Sequence, residues 1–485
     1  IRYTTEAPGH LPESKLQAER RLRYIEKKLD KDPVLAKAYI DKINDHVQKG
    51  YARELSIDEA AVQTSKTWYL PHFAVVNPNK PGKIRVVWDA AAKSNGTSLN
   101  EQLLTGPDFY NPLPAVLFKF RQRAVPISAD IKEMFLRIKI HPEDSQAQRF
   151  LWRGEDRTNA PRVYELTSML FGAVCSPSQA QYIKNRNARE IENYSSKATE
   201  AIIYRHYMDD YLDSLDTIDE ANQQVKDVIY VHESGGFSIC NWISTQTKVF
   251  EGISTELIAD GMKTFDTANT FPVERVLGLQ WNPNDDTFGF NVKFHKVLPE
   301  VLEQQRRPTK REVLKIIMSI FDPLGLISHF HIKGKIHLQM IWKSGIGWDD
   351  ELGAEQYTLW ISWFQQIKCL AEIKIPRFYQ FPTEINIQLH VCCDASEVAY
   401  AAVAYLRAEF NDGKIHTALI MSKTRVAPLK PMTIPRLELL AALVGSKMAN
   451  FIKQNHNLKI SSTYMWTDSQ TVLRWIRSDT NRFKT

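Results

Sequence analysis

Two adjacent carboxylates, Asp209 and Asp210, sit inside the apolar run Tyr204–Asp213, YRHYMDDYLD. Ile202, Ile203, Tyr204, Tyr207, Met208, Tyr211 and Leu212 surround them with strand-forming or large apolar side chains. Side-by-side carboxylates raise each other's pKa, and an apolar setting solvates neither. A divalent cation removes that conflict. Neighbouring side chains of an extended segment point to opposite faces, so a tight turn at Asp209-Asp210 is expected, one carboxylate reaching a metal and the other supporting it. A solvated Asp-Asp turn fits the same residues. Asp130 follows Val-Pro-Ile-Ser-Ala, where a carboxylate costs free energy unless it is paired, metal-bound or the N-cap of a helix. On neighbouring strands, Asp130, Asp209 and Asp210 would hold two Mg2+ ions about 3.5–4 Å apart and clamp both oxygens of an in-line phosphoryl displacement. Hard oxygen ligands suit Mg2+, which also takes up substrate phosphates and water.

The elements that must position these groups are legible in outline. Leu11–Gly50 reads as two charged helices parted at Asp32-Pro33, with Gly50 as a C-cap. Trp68–Val76 reads as a strand whose proline argues for a sheet edge, Asn77–Gly82 as a turn, and Lys83–Trp88 as a second strand. Lys80, Lys83 and Arg85, at or near the tip of that hairpin, suit a triphosphate, the arginine bidentately. A solvated basic turn fits as well. Val125–Ile140 reads as a buried strand running into an amphipathic stretch. Leu170–Gln181, LFGAVCSPSQAQ, reads as a loop of small residues entering a helix with Pro177 in its first turn.

With 485 residues, the chain has room for two to four domains. It is 43% hydrophobic and 24% charged, an ordinary globular balance, and its net charge of +6 leans only mildly toward nucleic acid. The five cysteines form no CxxC pair, so neither a zinc site nor a disulfide framework is indicated. No apolar run approaches the about 18 residues of a membrane span, and no signal peptide or P-loop is visible. The start at Ile1 and stop at Thr485 read as a segment of a longer polypeptide.

A second carboxylate set lies toward the end. Ile385–Cys392 alternates as a strand and delivers Asp394; Ala399–Leu406 and Ile415–Met421 are further strands. Pro435–Phe451 is an amphipathic helix with Glu438 in its first turn, and Tyr464–Thr467 a strand delivering Asp468 ahead of the helix Ser469–Ile476. Strand-Asp, helix-Glu, strand-Asp resembles an RNase H-fold nuclease. Turn or cap roles for the aspartates, and a helix-dipole role for Glu438, fit the residues singly.

Taken together, residues from about Trp68 to Trp281 resemble a reverse transcriptase. The resemblance implies that Asp130, Asp209 and Asp210 are catalytic and bind metal, and that Arg85, near Asp89, contacts the incoming triphosphate together with Lys83. It places Phe135 as an aromatic gate against the ribose 2′-hydroxyl. Gly172, Ser176 and Pro177 then form the loop supporting nucleotide and template base, and Tyr207 and Met208 complete the catalytic hairpin. Phe171 stands where retroviral enzymes often carry a glutamine. Gly236–Lys248 resembles the next palm motif, and Val276–Trp281, with Leu277 and Gly278, the primer grip. Arg306, Arg307, Lys310 and Arg311 head the helical stretch Val313–Phe321 as a thumb tracking a duplex backbone would need. A solvated basic face fits them equally. Trp342, Trp348, Trp360 and Trp363 fall in a helical thumb-to-connection segment as core. The stretch FDPLGLI from Phe321 and its surroundings are similar to BEL/Pao-type retrotransposon polyproteins.

The implied fold is α+β, a right-hand polymerase of fingers, palm and thumb, a connection segment and a partial RNase H-like domain. Its expected parts are a helical lead-in at 1–66, fingers and palm at 67–295, thumb and connection at 296–384 and the RNase H-like domain at 385–485. The implied function is RNA-directed DNA polymerisation with two Mg2+ ions per polymerase site. A complete RNase H site would also hold two, through Asp394, Glu438, Asp468 and a fourth acid beyond Thr485, so weak or no hybrid cleavage is expected. Implied partners are an RNA or DNA template with primer, dNTPs, RNA–DNA hybrid, and capsid, protease and integrase domains serving DNA integration. No membrane is involved, and cytoplasmic virus-like particles are the implied location. A catalytically decayed or domesticated nucleic-acid-binding remnant is the alternative. An aspartic protease is excluded, because Asp213-Ser214, Asp216-Thr217, Asp286-Thr287 and Asp479-Thr480 each lack the following glycine.

Overall fold

The computed structural model describes residues 11–76, 84–263, 273–290, 292–294, 296–381 and 386–479. Lys80 and Lys83 lie outside them. The chain forms two compact units, one of Ile1–Tyr110, Ile131–Ile203 and Asp227–Ile239, the other of Asn111–Asp130, Tyr204–Lys226 and Cys240–Thr485. Among the described residues, no helix is long and apolar enough to cross a membrane.

The first unit begins with helices Lys15–Leu29 and Pro33–Gln48. The Asp32 side chain accepts from Leu35 N at 3.0 Å, and Pro33 needs no partner for the N–H it lacks, so the break falls where the sequence places it. Gly50 follows at φ +67°. Their apolar faces cover a core of Tyr39, Trp68, Trp88, Phe150 and Trp152. Strands His72–Val76 and Ile84–Trp88 pair antiparallel, Val75 opposite Arg85. The first is shorter than expected: Trp68 and Leu70 instead bond the backbone around Gln146 and Arg149. A three-stranded sheet orders Ala52–Glu54, Arg162–Leu166 and Arg149–Trp152. Helix Ser196–Tyr204 takes in Ile202 and Ile203, which are strand formers by residue type. Ala198, Ala201 and Ile202 are buried there at helical spacing, and that packing overrides local preference.

In the second unit, a four-stranded sheet runs His206–Tyr207, Asp210–Leu215, Val125–Ile131, Ile239–Ser244. Strands Glu274–Val276 and Leu279–Asn282 form a hairpin turning at Leu277, φ +48°, and Gly278, φ +88°. A Cβ on Gly278 would stand 2.8 Å from the Phe321 ring. Helix Lys310–Ser319 opens with a capping box, Thr309 against Glu312. Helices Ser328–Lys343 and Ala354–Gln365 pack where Gly334 admits the Trp363 ring. Trp360 and Trp363 are core, as expected, whereas Trp342 and Trp348 are surface rings in edge-to-face contact at 5.1 Å.

A further four-stranded sheet orders Ile415–Val426, Ala399–Glu409, Asn386–Ala395 and Ile460–Trp466, the last pairing parallel. Helix Ile434–Asn455 covers one face. It approaches closely because residue 445 is glycine: any Cβ there would overlap Cys393 Sγ.

Candidate active site and a second carboxylate cluster

Asp130 stands directly opposite Asp210 in the antiparallel register. His206 faces Tyr211 and Tyr207 faces Asp210, which leaves Met208 and Asp209 as a two-residue turn. Met208 has φ +58°, a conformation costing a non-glycine residue of order 1–3 kcal/mol and found mainly where surrounding structure imposes it. Strand register thus sets Asp130 across from Asp210, with Asp209 adjoining in the turn, and Asp130 lies in the strand, not at a helix N-cap. Asn241 Nδ2 donates to Asp130 Oδ1 at 2.6 Å. Burial, then the charges of Asp209 and Asp130, push the Asp210 carboxyl up to about 7. Three hard-oxygen donors that repel one another's charge fit a divalent cation.

Below the turn lies a buried network that the sequence reading missed. Asp213 is fully buried and accepts from Arg205, from Tyr211 Oη at 3.0 Å and from Ser214 N at 2.7 Å. Burial raises its pKa, with Arg205 opposing. Tyr211 meets Trp242 edge-on at 5.7 Å, and Asn111 Nδ2 donates to His206 O at 3.0 Å. The available signal was a third acid, Asp213, deeper in the apolar run, with Arg205 eight residues before it.

Of the residues assigned to the nucleotide, Tyr207 and Met208 lie at the hairpin of the second unit and the other described ones in the first. Phe135 meets Phe171 edge-to-face at 5.3 Å and 84°. Gly172 has φ +127°, and a Cβ there would stand 3.0 Å from Trp88 O. Asn100, not foreseen, clamps this loop through Gly172 O at 3.1 Å and Val174 N at 3.0 Å. Ser176 is buried and donates its hydroxyl to Leu170 O at 2.7 Å, so it shapes the loop from within. Pro177 lies in the first turn of helix Ser176–Glu190. Arg85 is exposed on its strand.

Internal partners occupy the basic run expected to track a duplex. Arg306 pairs with Glu312 at 2.6 Å and Arg311 with Asp349 at 2.8 Å. Arg307 lies over the Tyr357 ring. Lys310 is buried, donates to Ile346 O at 3.0 Å and sits 4.1 Å over the Trp342 ring. These contacts cross-link the helical segment.

Asp394 ends a strand, Glu438 lies one turn into helix Ile434–Asn455, and Asp468 follows strand Ile460–Trp466. One oxygen from each lies within 4.8 Å of the others. Glu438 Oε2 is buried without a hydrogen-bond partner. Three grouped carboxylates, one with a buried unpartnered oxygen, fit a cation better than separate turn, cap or dipole roles.

Residues 309–469 match the Pao retrotransposon-like RNaseH-like domain. No curated protein matches the chain by sequence. Among solved structures it is similar to the foamy viral protease-reverse transcriptase dRH in complex with ds DNA, with a TM-score of 0.54, 16% identity, 89% of this chain and 63% of that one covered. The foamy viral protease-reverse transcriptase in complex with RNA/DNA hybrid gives 0.53, 14%, 89% and 48%. Its dsDNA complex gives 0.52, 16%, 89% and 75%. The chain therefore spans 48% to 75% of the length of these structures, and the likeness is one of fold.

Proposed function

We propose that this region of a Pao/BEL-like retrotransposon polyprotein, which carries an RNase H-like domain, is an RNA-directed DNA polymerase. The observation that carries the reading is Asp130 opposite Asp210, beside the Met208-Asp209 turn. In the proposed reaction the 3′-oxygen of a primer attacks the α-phosphorus of a dNTP and pyrophosphate leaves. Asp130, Asp209 and Asp210 would hold Mg2+, which when bound supplies charge stabilisation for the attacking and leaving oxygens. Asp210 would give up its proton to serve as a ligand, and Asn241 would fix the Asp130 carboxylate. Arg85 would take the triphosphate, and Phe135, backed by Phe171, would exclude a ribose 2′-hydroxyl. Gly172, left-handed and close against Trp88 O, would shape the loop that supports the nucleotide and template base. Asp394, Glu438 and Asp468 form the proposed metal site of the RNase H-like domain, directed at the RNA of an RNA–DNA hybrid. Primer extension on RNA and DNA templates with Mg2+ tests the reading, and dNTP-dependent extension on both is expected. Duplex binding without extension under any divalent metal would identify a binding remnant instead.

A further inference from the structure

The RNase H-like domain has a second charged feature, away from its carboxylate cluster. A cavity of about 250 Å3 opens between strand Ile415–Val426 and helix Ile434–Asn455. Strand alternation puts Met421, Lys423 and Arg425 on the face turned to it, while the helix contributes Lys447, Met448 and Phe451 at one-turn spacing. The result is an apolar floor under a rim of three cations. Among the described residues, none of the three side chains forms an ion pair or hydrogen bond, in contrast to those of Arg306, Lys310 and Arg311. The surrounding sequence has the same bias: from Gly413 to Lys459 there are eight lysines and arginines and one acid, Glu438. Converging like charges repel until a counter-charge sits among them.

We propose that this pocket binds a backbone phosphate of a nucleic-acid strand, with the sugar edge resting on Met421, Met448 and Phe451. Phosphate matches convergent lysine and arginine donors, and methionine fits irregular apolar surface. Lys447 lies nine residues beyond Glu438, about 13 Å along the helix and on its opposite side. The pocket is therefore an anchor separate from the metal cluster. The inference rests on the proposed nucleic-acid function and adds a site to it.

The test is binding of the full chain to a blunt RNA–DNA hybrid and to the same hybrid with a single-stranded tail, by fluorescence anisotropy over a salt series. The variant carries Lys423→Glu, Arg425→Glu and Lys447→Glu. A matched control carries Lys414→Glu, Lys453→Glu and Lys459→Glu, and melting curves confirm that both fold. The triple variant should bind at least about tenfold more weakly at moderate salt. Its log–log salt slope should be shallower by roughly 0.7–0.9 for each phosphate it no longer neutralises. Weaker binding of both ligands places a duplex strand in the pocket, and weakening confined to the tailed hybrid places a single strand there. Parent-like affinity and slope, or an equal loss in the control, would overturn the pocket while leaving the functional reading intact. The same holds if the variant loses binding to an oligoglutamate peptide but keeps nucleic acid. No nucleic-acid binding by the parent would overturn the functional reading and this site with it.

Discussion

Asn241 holds Asp130: its Nδ2 donates to Asp130 Oδ1 at 2.6 Å, from a left-handed backbone at φ +57°. A hydrogen bond to a metal-binding carboxylate fixes which oxygen lone pairs face the metal. Asn241→Ala should lower the rate of nucleotide incorporation about 10–100-fold, the usual cost of losing such a partner. Raising Mg2+ should recover part of it. A merely structural loss would appear as a lower melting temperature with no response to Mg2+.

Asp130→Asn and Asp209→Asn should each abolish incorporation and leave template–primer affinity nearly unchanged. Carboxylates that hold metal serve the transition state, whereas duplex affinity comes mainly from cations on phosphates. Single-turnover extension and equilibrium binding measured on the same samples separate the two quantities. Near-parental incorporation by either variant would remove the metal assignment.

The Asp210 carboxyl, pushed up to about 7 by burial, Asp209 and Asp130, makes the metal-free protein pH-sensitive. The native state keeps this proton where the unfolded chain has already released it, between about pH 4 and 7. The group's contribution to stability therefore falls as pH rises through that window. His46, His72, His232 and His456, held neutral by burial, work in the opposite direction on acidification. The readout is thus the difference between parent and Asp210→Asn. Without metal, Asp210→Asn should stabilise at both pH values, and clearly more at pH 8 than at pH 5. Mg2+ should raise the parent's melting temperature more at pH 8 than at pH 5.5, because the ligand must be deprotonated to bind it.

Local sequence revealed whatever local chemistry decides. The break at Asp32-Pro33 and the entry of Pro177 into its helix were both legible, because backbone preference within a few residues sets them. A turn at the carboxylate pair was legible too, but it falls one residue earlier than the Asp209-Asp210 expected: Met208-Asp209 turn and Asp210 already opens the next strand. Features that depend on distant partners were not legible. Asn241 lies 111 residues from Asp130, and Arg121 finds the carbonyl of Arg377 256 residues away. The run Arg306–Arg311 looked like free charge because Asp349, which neutralises Arg311, lies 38 residues beyond it. The helix at Ile202 and Ile203 was not legible for the same reason: burial of one helix face, invisible to residue type, decides their conformation.

Phe135 touches Phe171 edge-to-face, so the gate proposed for the ribose has a second ring behind it. Phe135→Ala should raise ribonucleotide incorporation sharply relative to dNTP, since the repulsive element is removed. Phe171→Ala should relax discrimination more weakly, because it frees Phe135 without deleting it. Unchanged dNTP-over-rNTP preference in Phe135→Ala would refute the gate.

Arg377 is fully buried and binds Asp286 through both carboxylate oxygens, at 2.7 and 2.8 Å. Its remaining N–H groups reach the carbonyls of Phe120, Arg123 and Ala124, just before strand Val125–Ile131 that carries Asp130. Beside it, Arg121 donates to Arg377 O at 3.0 Å and Ile420 O at 3.3 Å, and lies 4.5 Å over the Tyr379 ring. Two buried guanidiniums thus tie three stretches of the second unit: the one before Asp130, the Asp286 turn and the RNase H-like sheet. Removing one partner of a buried pair strands the other charge and costs about 3–5 kcal/mol. Arg377→Met should therefore lower stability by that order, whereas Arg377→Met with Asp286→Leu should recover part of it, because no carboxylate is then left alone. Denaturant melts of the parent, both single variants and the double variant give the coupling directly. A purely additive cycle would show that the carbonyl contacts, not the ion pair, hold this junction.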